Sequence, residues 1–277
     1  MYNNDSNSKF NSMSLPKLSA IIIIFSIAII GLTFYINSQK LNDPLLGDRA
    51  LRAAIMDEFY PEDKEYLTLN DSLLEVFTSL ELDLSKFDIT SFEGLNKMSS
   101  LDYLDIKTNR DLDLSNVDLP NLSKLRLSIN SNEVANITLP DSNILERLIV
   151  SSDRLFIDPS FIDSLNNYDQ LKILEIKNPY FKRRDDESIY ENCSFLAKYP
   201  SIKDLDLKYS DIKSLDGIEN LNKLAYIRFH DCSIEDASAL LKLDNIISLD
   251  MTDVSISEEQ IKQLEEHFGQ RLDIDDI

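Results

Sequence analysis

The chain has 277 residues, 28 basic and 49 acidic, for a formal charge of −21 at neutral pH. That balance excludes a nucleic-acid surface of the usual kind, which needs a basic footprint to displace counterions from phosphates. Two cysteines and five glycines exclude a disulfide-built scaffold and leave little material for glycine-rich phosphate loops.

Residues 1–16 are rich in Asn and Ser, lack apolar periodicity, and are expected to form a disordered tail. Residues 18–36 carry no charged side chain and centre on Ile21-Ile22-Ile23-Ile24-Phe25. At about 1.5 Å per residue such a helix spans about 28 Å, close to the roughly 30 Å of a bilayer's hydrocarbon. A transmembrane helix over 17–37 is therefore predicted. Leu32-Thr33-Phe34-Tyr35-Ile36-Asn37-Ser38 offers no small-x-small cleavage site, so an uncleaved anchor is expected. Lys9 and Lys17 before the span and Lys40, Arg49 and Arg52 after it are too balanced to orient it. A short tail ahead of a large acidic domain suggests a single-pass cell-membrane protein with that domain exported.

A tether over 38–47 leads to an expected cap over 48–78. Asp48 is placed as the N-cap of a helix whose Leu51, Ala54, Ile55 and Phe59 share one face, with Pro61 beyond its end. Tyr66-Leu67-Thr68-Leu69-Asn70 has strand character.

From residue 79 to 277 one phrase recurs. Ile202-Lys203-Asp204-Leu205-Asp206-Leu207 returns as Leu224-Ala225-Tyr226-Ile227-Arg228-Phe229 and as Ile246-Ile247-Ser248-Leu249-Asp250-Met251, a step of 22 residues each time. Anchored on its middle apolar residue, the frame runs through Leu82, Leu104, Leu125, Leu148, Leu174, Leu205, Ile227, Leu249 and Leu272. This is the sequence form of a leucine-rich repeat. One such unit cannot bury its apolar face; stacked units bury a shared interior, each aliphatic side chain contributing about 1.5–3 kcal/mol. The predicted fold is an α/β solenoid, a horseshoe with a parallel concave sheet and an N-terminal helical cap.

Five residues beyond each anchor, Asn109, Asn130 and Asp153 are expected to bond the backbone of neighbouring turns, and Cys232 to be a buried structural thiol unbridged to Cys193. Phe87, Pro179, Ser210 and Val254 are expected to make that ladder irregular. The long step between Leu174 and Leu205 holds Pro179-Tyr180-Phe181-Lys182-Arg183-Arg184-Asp185-Asp186-Glu187-Ser188, expected to bulge from the coil as a solvated loop or a partner-contacting protrusion. Ser257-Glu258-Glu259-Gln260 has the form of a capping box, followed by Ile261, Leu264 and Phe268 on one face and Gly269 as C-cap. A final half-unit at Leu272 ends in Asp275 and Asp276, charges that blunt an open strand edge.

Asp48-Arg49-Ala50-Leu51-Arg52-Ala53-Ala54-Ile55, Leu67-Thr68-Leu69-Asn70, Leu80-Glu81-Leu82-Asp83-Leu84 and Ile89-Thr90-Ser91-Phe92-Glu93-Gly94-Leu95 resemble the cap and first repeat of internalin-type leucine-rich proteins of Gram-positive bacteria. Leu215-Asp216-Gly217-Ile218-Glu219-Asn220-Leu221 repeats the tag which in that family marks the short helical return. The resemblance covers about residues 48–277 and implies a curved surface protein that binds a protein partner on its concave sheet.

Side chains alternate along a strand, so Leu205 and Leu207 face inward while Asp204, Asp206 and Lys208 line the open face. On that face Tyr103, Lys124, Arg126, Arg147, Ile149, Lys208, Tyr209, Tyr226, Arg228 and His230 are the candidate partner-binding residues, Tyr and Arg being frequent interface anchors. The pattern also fits an ordinary polar sheet whose charges pair across strands. No catalytic, cofactor or metal residues are assigned: His230 and His267 lack a metal-ligand pattern, His230 reads as a surface pair with Asp231, and Asp273, Asp275 and Asp276 have no calcium-loop motif. Alternate carboxylates such as Asp204 and Asp206 are expected to be solvated. A protein ligand is expected, and neither nucleic acid nor a small-molecule substrate; the rival function is an envelope scaffold or immunity-type protein that sequesters a membrane partner.

Overall fold

Two inward aliphatic or aromatic side chains per strand set the architecture. The pairs Leu104/Ile106, Leu125/Leu127, Leu148/Val150, Leu174/Ile176, Leu205/Leu207, Ile227/Phe229 and Leu249/Met251 are each 1% exposed or less. Stacked at the spacing of adjacent strands, about 4.8 Å, they form one continuous column.

The computed structural model describes residues 43, 45–59, 69–130, 136–140, 142–152, 168–177 and 192–274. The expected tail and membrane span, most of the strand expected over 66–70, Asp153, the 179–188 segment, Asp275 and Asp276 lie outside the described residues. Two units are distinguished, Met1–Pro44 and Leu45–Ile277, and every element below belongs to the second. Among the described residues no helix is long and apolar enough to cross a membrane.

Helix α1 (Arg49–Phe59) and the short α2 (Asp71–Leu74) precede the strands. These are β1 (Ser79–Asp83), β2 (Tyr103–Thr108), β3 (Leu112–Asp113), β4 (Lys124–Ile129), β5 (Ile137–Thr138), β6 (Arg147–Ser152) and β7 (Ile173–Lys177). There follow β8 (Asp204–Lys208), β9 (Asp211–Ser214), β10 (Tyr226–His230), β11 (Ser233–Asp236) and β12 (Ser248–Thr252), then α3 (Glu258–Phe268) and β13 (Leu272–Asp273). Nine strands form one sheet in the order β1-β2-β4-β6-β7-β8-β10-β12-β13, every pairing parallel. Two short sheets, β3 with β5 and β9 with β11, run on the return path. Turns of 3₁₀ helix at Glu93–Lys97, Ser194–Lys198, Ile218–Asn220 and Ser238–Lys242 complete the coils. Two of them fall on the repeated tag.

Leu104, Leu125, Leu148, Leu174, Leu205, Ile227, Leu249 and Leu272 are direct partners along the sheet. The long sequence steps on either side of Leu174 therefore leave the sheet register intact. At the first coil the register differs from the expected one: Leu80, not Leu82, pairs with Leu104. Both leucines face inward, so alternation cannot distinguish registers two residues apart. Phe87 consequently does not occupy the ladder position.

That position also differs between coils. In β2, β4 and β6 the strand runs six residues and its last inward side chain is Thr108, Ile129 or Ser152, at 2%, 7% and 3% exposure. Asn109 and Asn130 are exposed rather than turned into the core, and Asn130 N donates to Thr108 O of the neighbouring coil at 2.7 Å. In the last coils the strand is one residue shorter, and the residue that follows it, Tyr209, Asp231 or Asp253, has φ of 59°, 51° or 54°. This left-handed residue turns Ser210, Cys232 and Val254 inward, all buried. The coil is regular there, with Ser233 N donating to Ser210 O and Ser255 N to Cys232 O at 2.8 Å each, so Ser210 and Val254 do not break the ladder. Side-chain bridges between coils come instead from Asn96, whose Oδ1 accepts from Asp118 N at 2.7 Å, and from Asn121, whose Nδ2 donates to Ser99 O at 2.7 Å.

The caps follow from side-chain chemistry. Asp48 Oδ1 accepts from the backbone N–H of Ala50 and Leu51 at 2.7 and 3.0 Å, capping α1. Leu51, Ala54, Ile55 and Met56 are buried, and the Phe59 ring stacks on Phe77. Leu46, at the end of the expected tether, is already core at 2% exposure. At the other end Ser257 caps α3, and Leu264 and Phe268 are buried. Gln260 does not close the expected capping box: its Oε1 accepts from Ala237 N at 2.6 Å and its Nε2 donates to Glu235 O at 2.8 Å, fastening α3 to the preceding coil.

Cys193 and Cys232 are free and buried; the unbridged, buried thiol at Cys232 was expected, and the burial of Cys193 is added by the structure. Burial, with Glu219 and Asp216 nearby, pushes the Cys193 thiol up to about 12, and burial pushes Cys232 up to about 11. Both are thiols, not thiolates, at neutral pH.

The candidate binding face of the long sheet

Because one set of alternating residues fills the core, the other set forms three rows across the sheet. The first row runs Tyr103, Lys124, Arg147, Ile173, Asp204, Tyr226, Ser248. The middle row runs Glu81, Asp105, Arg126, Ile149, Glu175, Asp206, Arg228, Asp250. The third contains Lys107, Ser128, Ser151, Lys177, Lys208 and His230.

Acidic residues outnumber basic ones along the middle row, and pairs form across strands. Arg228 Nη2 donates to Asp204 at 2.6 Å and Nε to Asp206 at 3.1 Å. Lys208 meets Asp206 at 3.1 Å and Glu175 at 3.7 Å. The Asp206 and Asp204 carboxylates more than offset burial of the Arg228 guanidinium and hold its pKa above the usual arginine value. Asp105 and Asp206 are 5% and 4% exposed, so these two carboxylates are not solvated as expected. Tyr103 and Arg126 lie against Asp105, and Lys208 and Arg228 against Asp206. One oxygen of each, Oδ1, has no hydrogen-bond partner. Arg228→Met should therefore destabilise the fold by about 1–3 kcal/mol, because it strips a buried carboxylate of a charged donor. Urea unfolding checks this; an unchanged midpoint would show Lys208 alone suffices for Asp206.

Arg126 and Arg147 are held differently. Their acids, Asp105 and Glu175, lie at 3.9 Å, and the two side chains stay 48% and 43% exposed. Lys124 pairs with Asp102 at 3.0 Å and is 52% exposed, a surface pair worth about 0–1 kcal/mol. Tyr103 donates to Asp105 Oδ2 at 3.1 Å. His230 faces Asp250 at 3.6 Å rather than its sequence neighbour Asp231. Where α1 meets the sheet, a cavity of about 110 Å³ is lined by Asp57, Glu58, Glu81, Asp83 and Asp105 among others. Burial, then Glu81 and Asp57, raise the Glu58 pKa.

This geometry has a counterpart among solved structures. Internalin C2 of Listeria monocytogenes superposes with a TM-score of 0.55 at 19% identity, covering 83% of this chain and 93% of that one. The chain has the internalin-type leucine-rich-repeat fold. Two other Listeria monocytogenes proteins also match: InlP, at 14% identity and TM-score 0.46 over 83% of this chain and 69% of its own, and internalin InlF, at 14% and 0.29 over 86% and 93%. No protein-family model matches the chain, and no curated protein matches it in sequence.

Within the internalin-like repeat domain, the candidate residues divide by what already holds them. Arg228, Lys208 and His230 face carboxylates of the same sheet. Tyr226 and Tyr209 are 41% and 44% exposed, at opposite ends of the strands they flank. Tyr209 also holds a left-handed backbone unusual for an aromatic residue. Lys124, Arg126, Arg147 and Ile149 cluster on β4 and β6. Ile247, 58% exposed just before β12, is an outward apolar residue that the sequence reading missed; the matching position holds Lys172, Lys203 and Ala225 in the preceding coils, none of them buried. Among the described residues no group of three or more His, Cys, Asp or Glu side chains is placed to hold a metal ion.

Proposed function

We propose that this is a protein-recognition molecule, anchored in the membrane through residues 18–36, whose repeats lie outside the bacterial cell and grip a protein partner on the open face of the long sheet. The observation that carries this is that face itself: nine parallel strands on which tyrosine and arginine side chains stay nearly half exposed and Ile149 and Ile173 partly exposed. Aromatic and guanidinium groups combine contact area with directed hydrogen bonds, the usual composition of interface anchors.

A photo-crosslinking residue in place of Tyr226, in the full chain and in producing cells, tests the face. It should trap a protein that the same residue in place of Glu235, on β11, does not. Equal trapping at both positions, or none at Tyr226, rejects the face. A trapped protein of the same membrane would favour sequestration of an envelope neighbour over recognition of a foreign surface. Topology is read separately: with both native thiols buried and protonated, Lys223→Cys supplies an accessible thiol, and an impermeant maleimide should label it in intact cells. Labelling only after permeabilisation would reverse the orientation.

A further inference from the structure

The cations on β4 and β6 are held differently from Arg228 on β10. Arg228 is saturated by carboxylates at hydrogen-bond distance. Arg126 and Arg147 meet theirs only at 3.9 Å, outside hydrogen-bond reach, and Arg147 Nε is buried with no partner at all. Arg126 has the Tyr103 hydroxyl beside it, which leaves most of its donor fork open. Lys124 is the direct neighbour of Arg147, Arg126 of Ile149, and Arg147 of Ile173. Two aliphatic side chains are thus framed by three cations on adjacent strands about 4.8 Å apart. On a chain of net charge −21, Arg126 and Arg147 keep guanidinium donors that no carboxylate of the fold takes up at hydrogen-bond distance.

We propose that this patch binds an acidic, amphipathic segment of the partner, its carboxylates on Arg126 and Arg147 and an aliphatic side chain against Ile149 and Ile173. The inference rests on the open face being the recognition surface, and it names the partner's chemistry. Guanidinium presents a planar fork of N–H donors that matches a carboxylate with two parallel hydrogen bonds. The isoleucines give the contact an apolar centre with charge at its edge, the usual anatomy of an interface. A long polyanion fits less well. Beyond the three cations it would run onto Asp105 and Glu81 on one side and Glu175, Asp204 and Asp206 on the other, all in the first and middle rows.

The test is fluorescence anisotropy with the purified full chain and a labelled short peptide of alternating glutamate and leucine. The glutamate peptide should bind, the glutamine–leucine and lysine–leucine peptides should not, and binding should weaken as sodium chloride is raised. Arg126→Gln with Arg147→Gln should weaken it roughly tenfold or more, while Lys223→Gln leaves it unchanged. Both arginines are half exposed and hold no short ion pair, so the double variant should unfold at the parent's temperature. If it does not, salt dependence in the parent decides. The proposal is overturned by absence of binding, equal binding of the glutamine peptide, parent affinity in the double variant, or displacement by a short oligothymidylate as effective as that by unlabelled peptide. Should the peptide fail while the Tyr226 crosslink still traps a specific partner, the acidic-segment inference falls and the recognition face stands; failure of both removes the face as well.

Discussion

Replacing Asp48 by alanine should destabilise the repeat domain by about 3 kcal/mol, the largest loss expected from any single carboxylate here. Asp48 is 1% exposed and joins two segments far apart in sequence. Its Oδ1 caps α1 through Ala50 and Leu51, and its Oδ2 accepts from Thr90 N and Oγ1 at 2.7 Å each and from Ser91 N at 3.1 Å. Loss of an N-cap costs about 1 kcal/mol, and backbone donors left without an acceptor add about 1–3 kcal/mol. Asp48→Asn keeps one acceptor oxygen but turns an NH₂ toward the Thr90 and Ser91 donors, so an intermediate loss is expected. Burial pushes the Asp48 carboxyl up, yet hydrogen bonds from Thr90, Leu51 and Ser91 outweigh it and hold the pKa below the usual value. A folded pKa below the unfolded one, about 3.9, means the contribution is fully present above that value and is lost as pH falls through the lower folded pKa. Unfolding followed by circular dichroism from neutral to acid pH should show parent and Asp48→Ala converging in acid. A constant gap at every pH would assign the effect to packing instead.

The second large effect is expected at Gly217. Its φ is +102°, and an added Cβ would lie 2.6 Å from both Cα and N of Ser194, atoms of backbone that no rotamer change can move. Strain from a side chain at positive φ and overpacking against the preceding coil each amount to about 1–3 kcal/mol, so Gly217→Ala should lose about 3–5 kcal/mol. The turn pushed aside begins at Cys193, whose N donates to Asp216 O at 2.8 Å. The Cys193 thiol should therefore become accessible, and its alkylation rate under native conditions should rise well above the parent's. Gly47 has φ of +75° with nothing within 4 Å of its Cβ position, so Gly47→Ala isolates the strain and should cost about 1 kcal/mol. A Gly217→Ala protein with the parent's midpoint and a silent Cys193 would contradict the close approach.

Gly217 also shows what the repeated tag means physically. Gly94 stands at the matching place in the first coil, and its Cβ would lie 2.4 Å from Leu46 O. Both glycines mark where the backbone of the preceding layer passes too close for any side chain. The tag was legible in the sequence as a recurring string; that it encodes clearance between layers was not, because the atoms it clears are some twenty to fifty residues away.

The sequence by itself determined the solenoid, the helical cap at Asp48, the terminal helix at Ser257, the buried thiol of Cys232 and the alternation along each strand that divides core from open face. All of these rest on local chemistry or on a period of two set against a period near twenty-two, which one strand already displays. Only the tertiary structure decided that Leu80 and not Leu82 stands opposite Leu104, and that Asn109 and Asn130 stand outside while Thr108 and Ile129 turn in. It also decided that Arg228 is tied to Asp204 and Asp206 while Arg126 and Arg147 keep donors to offer. Those outcomes depend on which residue of a neighbouring strand lies opposite, and a register two residues out leaves every hydrophobic in place while exchanging every partner.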